Sequence, residues 1–239
     1  IAQPAAPLSS VILNAQDVDC FGNTNGSIEV GGQGGTAPYE YSIDGGTNWE
    51  KVLYIDENTG ASSLSMDMKN PLILYAAMWE HRRYPWTMES GGERSGLYKS
   101  IDGGTTWNNI SAGLPDRYVT SIAISPNEDE TAYVTFSGFG VLDQSPHVFK
   151  TVDGGQTWSD ISSNLPEIPV NDIIIHDAEG LLLLATDVGV WYSHTDGAIW
   201  TVLGDNLPLT IMRDLKLHQG TNTLYVGTFG RSIHKYALD

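Results

Sequence analysis

Residues 79–96 read WEHRRYPWTMESGGERSG and gather Trp79, His81, Arg82, Arg83, Tyr84, Trp86 and Arg94 in a chain with only six arginines. Aromatic faces beside guanidinium groups stack on sugar rings and hold acidic groups through charge-assisted hydrogen bonds. The stretch therefore reads as a recognition loop for a glycan or a partner protein. Trp79, Tyr84 and Trp86 are its platforms, and Arg82 and Arg83 supply charge. Arg231, in the short stretch TFGRS, is expected to join them. The competing reading is that a long loop buries its own tryptophans against the sheet beneath it.

Elements that could hold such a loop are written into the sequence as a repeat. The turn SIDGGTNW recurs as SIDGGTTW and TVDGGQTW, and in altered form as SHTDGAIW, so that Trp49, Trp107, Trp158 and Trp200 fall 58, 51 and 42 residues apart. Periods of about 40 to 50 residues are those of propeller blades. Two apolar runs of strand length precede each of the last three turns, a third strand enters the turn, and a short fourth strand ends at Leu114-Pro115, Leu165-Pro166 or Leu207-Pro208, where proline stops ladder pairing. No helical period competes. The fold class is all-β: a small β-propeller of four or five blades, each a four-stranded antiparallel meander A-B-C-D, with the repeated turn between C and D.

The turn residues have structural roles. They are Ser42, Asp44, Gly46 and Trp49; Ser100, Asp102, Gly104 and Trp107; and Thr151, Asp153, Gly155 and Trp158. Hydroxyl and carboxylate accept backbone amides across the turn, glycine takes positive φ, and tryptophan packs under the sheet. The fourth copy has Thr195 in place of aspartate and is expected to be the loosest. The C-D turns should share a face with the A-B loops, which leaves the B-C and D-A loops, 79–96 among them, on the opposite face.

Charge and composition exclude other functions. A formal net charge of -17 repels nucleic acid and anionic membranes. One cysteine, Cys20, allows neither an internal disulfide nor a cysteine zinc cluster. No cofactor is expected, because the six histidines are scattered singly; the acidic turn PNEDE, 126–130, reads first as a solvated turn and second as a calcium site. No apolar run reaches the length of a membrane span. Ile1 is not methionine and no leader precedes it, which reads as a processed form or a piece of something larger.

SIDGGTTW and TVDGGQTW resemble the Asp-box of sialidase-, sortilin- and xyloglucanase-type propellers, and the resemblance covers about residues 46 to 239. It implies the fold but not one activity, since such propellers include hydrolases, receptors and assembly factors. Residues 1–45 resemble instead the SprB-type repeat of surface adhesins, through Ile1, Gln3, Pro4, Cys20, Gly22, Gly26, Ser27, Gly34, Gly35, Pro38, Tyr39 and Tyr41. That resemblance implies a secreted or cell-surface protein. The expected division is thus an N-terminal β segment, 1–45, which could itself be an extra blade, and a propeller, 46–239. On a four-blade reading, WEKVLY (49–54) would supply the outer strand that the last blade lacks.

The resemblance also frames the enzymatic alternative. A sialidase needs an arginine triad that six scattered arginines do not offer. A xyloglucanase-type site needs two carboxylates at about 6.5 to 9.5 Å between two whole propellers, and this chain is too short for two. Glu80, Glu89, Glu93 and Asp143 are present but nothing pairs them. The expected function is a non-catalytic binding or adhesion module, with a glycoside hydrolase second and a structural subunit, self-associating through its N-terminal segment, third.

Overall fold

A computed structural model describes residues 51–138 and 146–238, together with the backbone of two strands nearer the N-terminus. The chain divides into two compact units, Ile1–Glu50 and Lys51–Asp239. In the first, β1 (Ser9–Gln16) and β2 (Ser27–Gln33) pair antiparallel, with a bulge between Ile12 and Asn14. The turn residues Ser42, Asp44, Gly46 and Trp49 lie outside the described residues.

The second unit is four antiparallel sheets. Blade 1 comprises β3 (Thr59–Met66), β4 (Leu74–Arg83), β5 (Met88–Ser90), β6 (Gly96–Ser100) and β7 (Asn108–Asn109) in the order β3-β4-β6-β7, with β5 paired to β4 outside that path. Blade 2 runs β8 (Val119–Ile124), β9 (Ala132–Phe136), β10 (Val148–Thr151) and β11 (Ser159–Asp160). Blade 3 follows with β12 (Val170–His176), β13 (Leu181–Thr186), β14 (Gly189–Ser193) and β15 (Thr201–Val202). Blade 4 has three strands: β16 (Met212–His218), β17 (Thr223–Thr228) and β18 (Ile233–Ala237). Short 3-10 turns at Asp177–Glu179 and Gln219–Thr221 are the only helical elements among the described residues, so none is long and apolar enough to cross a membrane.

Blades pack face to face, and each interface holds its own core. Tyr75, Ala77 and Leu97 of blade 1 meet Ile122, Val134 and Phe136 of blade 2. Tyr133 and Val148 meet Ile173, Leu184 and Trp200 across the next interface. Leu183 and Val190 meet Leu215 and Leu224 across the third. Each fully buried side chain of this size contributes about 1.5 to 3 kcal/mol, so stability is distributed over three parallel seams.

All four innermost strands carry a bulge at the same place, at Ser62, Thr120, Asn171 and Arg213. A bulge adds one residue and re-aims its side chain. Here the extra side chain crosses to the next blade: Ser62 Oγ donates to the Val119 carbonyl at 3.1 Å, Thr120 Oγ1 to that of Val170 at 2.6 Å, and Asn171 Nδ2 to that of Met212 at 2.9 Å.

The expected closure by WEKVLY is not formed. Residues 51–56 belong to no strand, and blade 4 keeps an open outer edge among the described residues. The reason lies in the aliphatic side chain a few positions beyond each tryptophan. A Cβ added to Gly155 would meet Ile110 at 2.5 Å, one on Gly197 would meet Ile161 at 2.8 Å, and one on Gly104 would lie 3.8 Å from Val52. Val52, though exposed, thus lies near the turn of blade 1 in the position that Ile110 and Ile161 hold beside the turns of blades 2 and 3.

Candidate functional site: the β4–β5 hairpin and its face

The repeated turns set one face of the unit. Ser100 Oγ, which is buried, accepts the Gly104 amide at 2.8 Å and donates to Asp102 Oδ1 at 2.8 Å, and Asp102 accepts the Thr106 amide and hydroxyl. Thr151, Asp153, Gly155 and Thr157 repeat the set. Hydrogen bonds from the Thr106 and Thr157 side chains and amides hold the Asp102 and Asp153 carboxyls down at about 2. Gly103 and Gly104, like Gly154 and Gly155, take the positive φ that the turn demands. The fourth copy is not loose: Thr195 Oγ1 accepts the Ile199 amide at 2.9 Å, Ser193 Oγ accepts that of Gly197, and Trp200 is buried. Every polar atom named here is paired within its own turn. The A-B turns lie alongside, since Gly103 and Gly154 donate to the Leu72 and Glu130 carbonyls.

On the opposite face, residues 79–96 form a β-hairpin rather than the expected loop. β4 is ten residues long. Its first seven residues pair with β3 of blade 1, and its last three extend beyond and pair with β5 through His81 with Ser90, Arg82 with Glu89 and Arg83 with Met88. The aromatic character of the stretch suits a strand, and Tyr84-Pro85-Trp86-Thr87 closes it with a Tyr84 amide bond to the Thr87 carbonyl at 2.8 Å.

A clamp fixes the base of the hairpin. Arg94 pairs with Asp56 at 2.6 Å and approaches Glu80 at 4.0 Å; the Arg94 amide donates to Glu80, and Ser95 Oγ accepts the Glu80 amide at 3.0 Å. The Asn58 amide, the Thr59 hydroxyl and Arg94 lower the Asp56 carboxyl below its usual range. Gly92 passes so close that an added Cβ would meet the Glu80 carboxylate, and its amide donates to Asp116 at 3.3 Å.

The sequence-predicted site residues divide into three groups. Tyr84 and Trp86 stack at the tip, with ring centroids 5.9 Å apart and planes 19° apart, Trp86 is 81% exposed, and the Arg82 guanidinium lies 5.6 Å from the Tyr84 ring. Arg83, the next residue along the strand, is exposed. Trp79 is half-buried at the base, 4.3 Å from His81 and edge-on to Tyr118 at 4.6 Å. Arg231 occupies the β17–β18 turn of blade 4, three blades along the chain. A cavity of about 300 Å³ opens between blades 1 and 2 at the foot of the hairpin, lined by Gly92, Glu93, Leu97, Leu114, Arg117 and Phe136. Arg117 ties its rim to blade 2, donating to the Pro146 and Ser137 carbonyls.

Three carboxylates near the hairpin have structural partners, while Glu93 is exposed and lines the cavity. Glu80 and Asp56 share Arg94, and Asp116 accepts the Gly92 amide. Asp143 lies outside the described residues. No three His, Cys, Asp or Glu side chains cluster as a metal site among the described residues. Sequence reasoning missed the Asp56, Glu80 and Arg94 clamp, because Asp56 stands 24 residues before Glu80 with no motif joining them.

Comparison with known proteins separates the same two parts. Residues 12–48 match the SprB repeat family. A xyloglucanase from a Paenibacillus species is 31% identical over 131 residues, an alignment that takes in 46% of this chain and 12% of the relative, so the chain spans a small fraction of that protein. Among solved structures, the GH74 xyloglucanase from Xanthomonas campestris aligns over 74% of this chain and 37% of its own, with a TM-score of 0.51 at 13% identity. An ancestral GH74 enzyme does so over 70% and 22%, with a TM-score of 0.51 at 14% identity, and a chain of a nidogen/laminin complex over 75% and 61%, with a TM-score of 0.56 at 15% identity. At such identities these likenesses speak to the fold, and the chain accordingly combines a SprB repeat match at its N-terminal end with a β-propeller resembling those of the xyloglucanases.

Proposed function

We propose that this chain is a non-catalytic, secreted or surface-displayed binding module, and that it recognises carbohydrate through the tip of the β4–β5 hairpin. The observation that carries the reading is the exposed stack of Tyr84 and Trp86 with Arg82 at its edge. Two nearly parallel rings at the hairpin tip present an apolar surface that a pyranose face can cover, while Arg82, on the Tyr84 side of the strand, reaches its hydroxyl or acidic groups. The SprB match and the xyloglucanase relative support an extracellular setting and a polysaccharide ligand. Adhesion is the role that this combination favours.

Xyloglucan heptasaccharide is the first probe, with sialyl-lactose as the acidic comparison, in isothermal titration of the full chain. Trp86→Ala and Tyr84→Ala should each weaken binding by about 1 to 4 kcal/mol where they act as hot spots without lowering the melting temperature. Unchanged affinity in both variants would end the reading. The relative's name keeps hydrolysis as the second possibility. Release of reducing sugar, abolished by Glu80→Gln in a protein of unchanged melting temperature, would replace binding with catalysis.

A further inference from the structure

The first two blade interfaces share one arrangement, whereas the third has Leu183 and Tyr192 at the same register positions. In blade 1, Tyr75 of β4 and Lys99 of β6 are cross-strand partners; Lys99 Nζ lies 5.3 Å from the ring centroid and pairs with Glu130 of blade 2 at 2.6 Å. In blade 2, Tyr133 and Lys150 are cross-strand partners; Lys150 Nζ lies 5.6 Å from that ring and pairs with Asp196 of blade 3 at 2.5 Å, while the Tyr133 hydroxyl donates to the same carboxylate. Two residues before each lysine stands an aliphatic side chain, Leu97 or Val148, each 0% exposed.

Blade 4 carries the same parts and shows them to solvent. Tyr225 and Lys235 are cross-strand partners in the same register, and Ile233, the counterpart of Leu97 and Val148, is 73% exposed. Lys235 has no ion-pair partner among the described residues. The fourth bulge residue, Arg213, is exposed; it donates back to Asn171 Oδ1 of blade 3 at 3.5 Å and lies 5.8 Å from the Phe229 ring, where its three counterparts bond to a carbonyl of the next blade. Residues 212–238 also hold four of the twelve lysines and arginines with a single acid, in a chain of net charge -17. The face is basic, aromatic and shaped as the giving side of a blade interface.

We propose that the outer face of blade 4 docks a further antiparallel β-blade that offers a carboxylate to Lys235 and an aliphatic surface to Tyr225 and Ile233. A second copy of this chain is not the occupant. Its one uncovered receiving face among the described residues is that of blade 1, where Leu72 stands in the position of Glu130 and Gly103 in that of Asp196, so neither position that pairs with a lysine in the two observed interfaces has an acid. The partner blade is acidic at its A-B or C-D turn.

Two measurements test this on the full chain. Lys99→Glu and Lys150→Glu should lower the melting temperature by several degrees, and Lys235→Glu should leave it unchanged; a loss at Lys235 equal to that at Lys150 would mean the face is already occupied, and would overturn the proposal. The probe for docking is blade 2's own sequence, residues 119–160, joined behind Asp239 by a flexible linker. Hydrogen exchange at β17 and β18 should slow at least tenfold with this added blade, lose most of that gain when the added copy carries Glu130→Lys, and regain it when Lys235→Glu is made as well. Absence of slowing, including through failure of the added blade to acquire protected amides, or slowing indifferent to both charges, would sink the idea. Sedimentation of the unaltered chain should show a monomer, and a dimer lost on Lys235→Glu would make a second copy the occupant and overturn the choice made here.

Discussion

Trp200 and Trp86 mark two regions built on opposite terms. Trp200, in the fourth copy of the repeated turn, is 2% exposed, donates from Nε1 to the Ile161 carbonyl at 2.8 Å, and takes Asn164 as partner for its amide. Trp86, at the hairpin tip, is 81% exposed and meets Tyr84. The repeated element fixes one blade to the next, and the inserted element leaves its ring to solvent. The largest expected effect therefore falls on the degenerate copy, which by sequence should be the least important. Trp200→Ala should cost about 3 to 5 kcal/mol in urea unfolding, and a loss below 1 kcal/mol would show that the seam between blades 2 and 3 does not depend on it.

Within the repeats the serine or threonine hydroxyl matters more than its exposed aspartate suggests. Ser100 Oγ is the buried acceptor for two amides, those of Asp102 and Gly104. Ser100→Ala leaves both without that acceptor, at a cost of about 1 to 3 kcal/mol, whereas Ser100→Thr, the residue that blade 2 uses at Thr151, should retain most of the stability. Equal losses in the two variants would assign the effect to packing instead of the bonds.

Some of this was legible because it is local. Spacing of the tryptophans placed the blades, and serine, aspartate and paired glycine specified the turn, since each acts on amides within four residues. A bulge signal was also present but unread: Ala61-Ser62-Ser63-Leu64, Val119-Thr120-Ser121-Ile122, Val170-Asn171-Asp172-Ile173 and Met212-Arg213-Asp214-Leu215 all place apolar residues three apart, which breaks the period of two and requires an extra residue. What the sequence hid is long in range. Lys99 and Glu130, or Lys150 and Asp196, are ordinary surface residues until the blades stack, and the 79–96 stretch looked like a loop because its glycines and proline obscure a pairing that extends an existing strand.

Acid should separate the turns from the seams by sign. Asp102 and Asp153 have folded values of about 2, below the ordinary 3.8, so the stability they contribute is present above pH 4 and is lost as pH falls toward 2. Asp172 behaves oppositely: burial raises it, against the lowering effect of the Leu215 amide and Ser121 hydroxyl, so its contribution grows as pH falls through its raised value toward 3.8. Melting temperature should therefore fall steeply only below about pH 4, and the Asp102→Asn, Asp153→Asn pair should flatten that limb. A limb unchanged in the double variant would place acid sensitivity elsewhere in the chain.

The smallest expected effect is the one that tests the hairpin most directly. Trp79 is held between His81 and Tyr118 at the base, and its replacement by alanine removes two ring contacts from a half-buried position. Trp86 has one ring neighbour among the described residues, at 5.9 Å, in a largely hydrated setting, where removing an exposed side chain changes stability by no more than about 0.5 kcal/mol. Trp86→Ala should leave unfolding unchanged and remove the tryptophan that, among the described residues, is most open to acrylamide quenching, while Trp79→Ala should destabilise and leave that quenching in place. If Trp86→Ala instead costs more than about 1 kcal/mol, above the ordinary range for a surface site, the tip is a packed element, and the exposed platform on which carbohydrate recognition rests is lost.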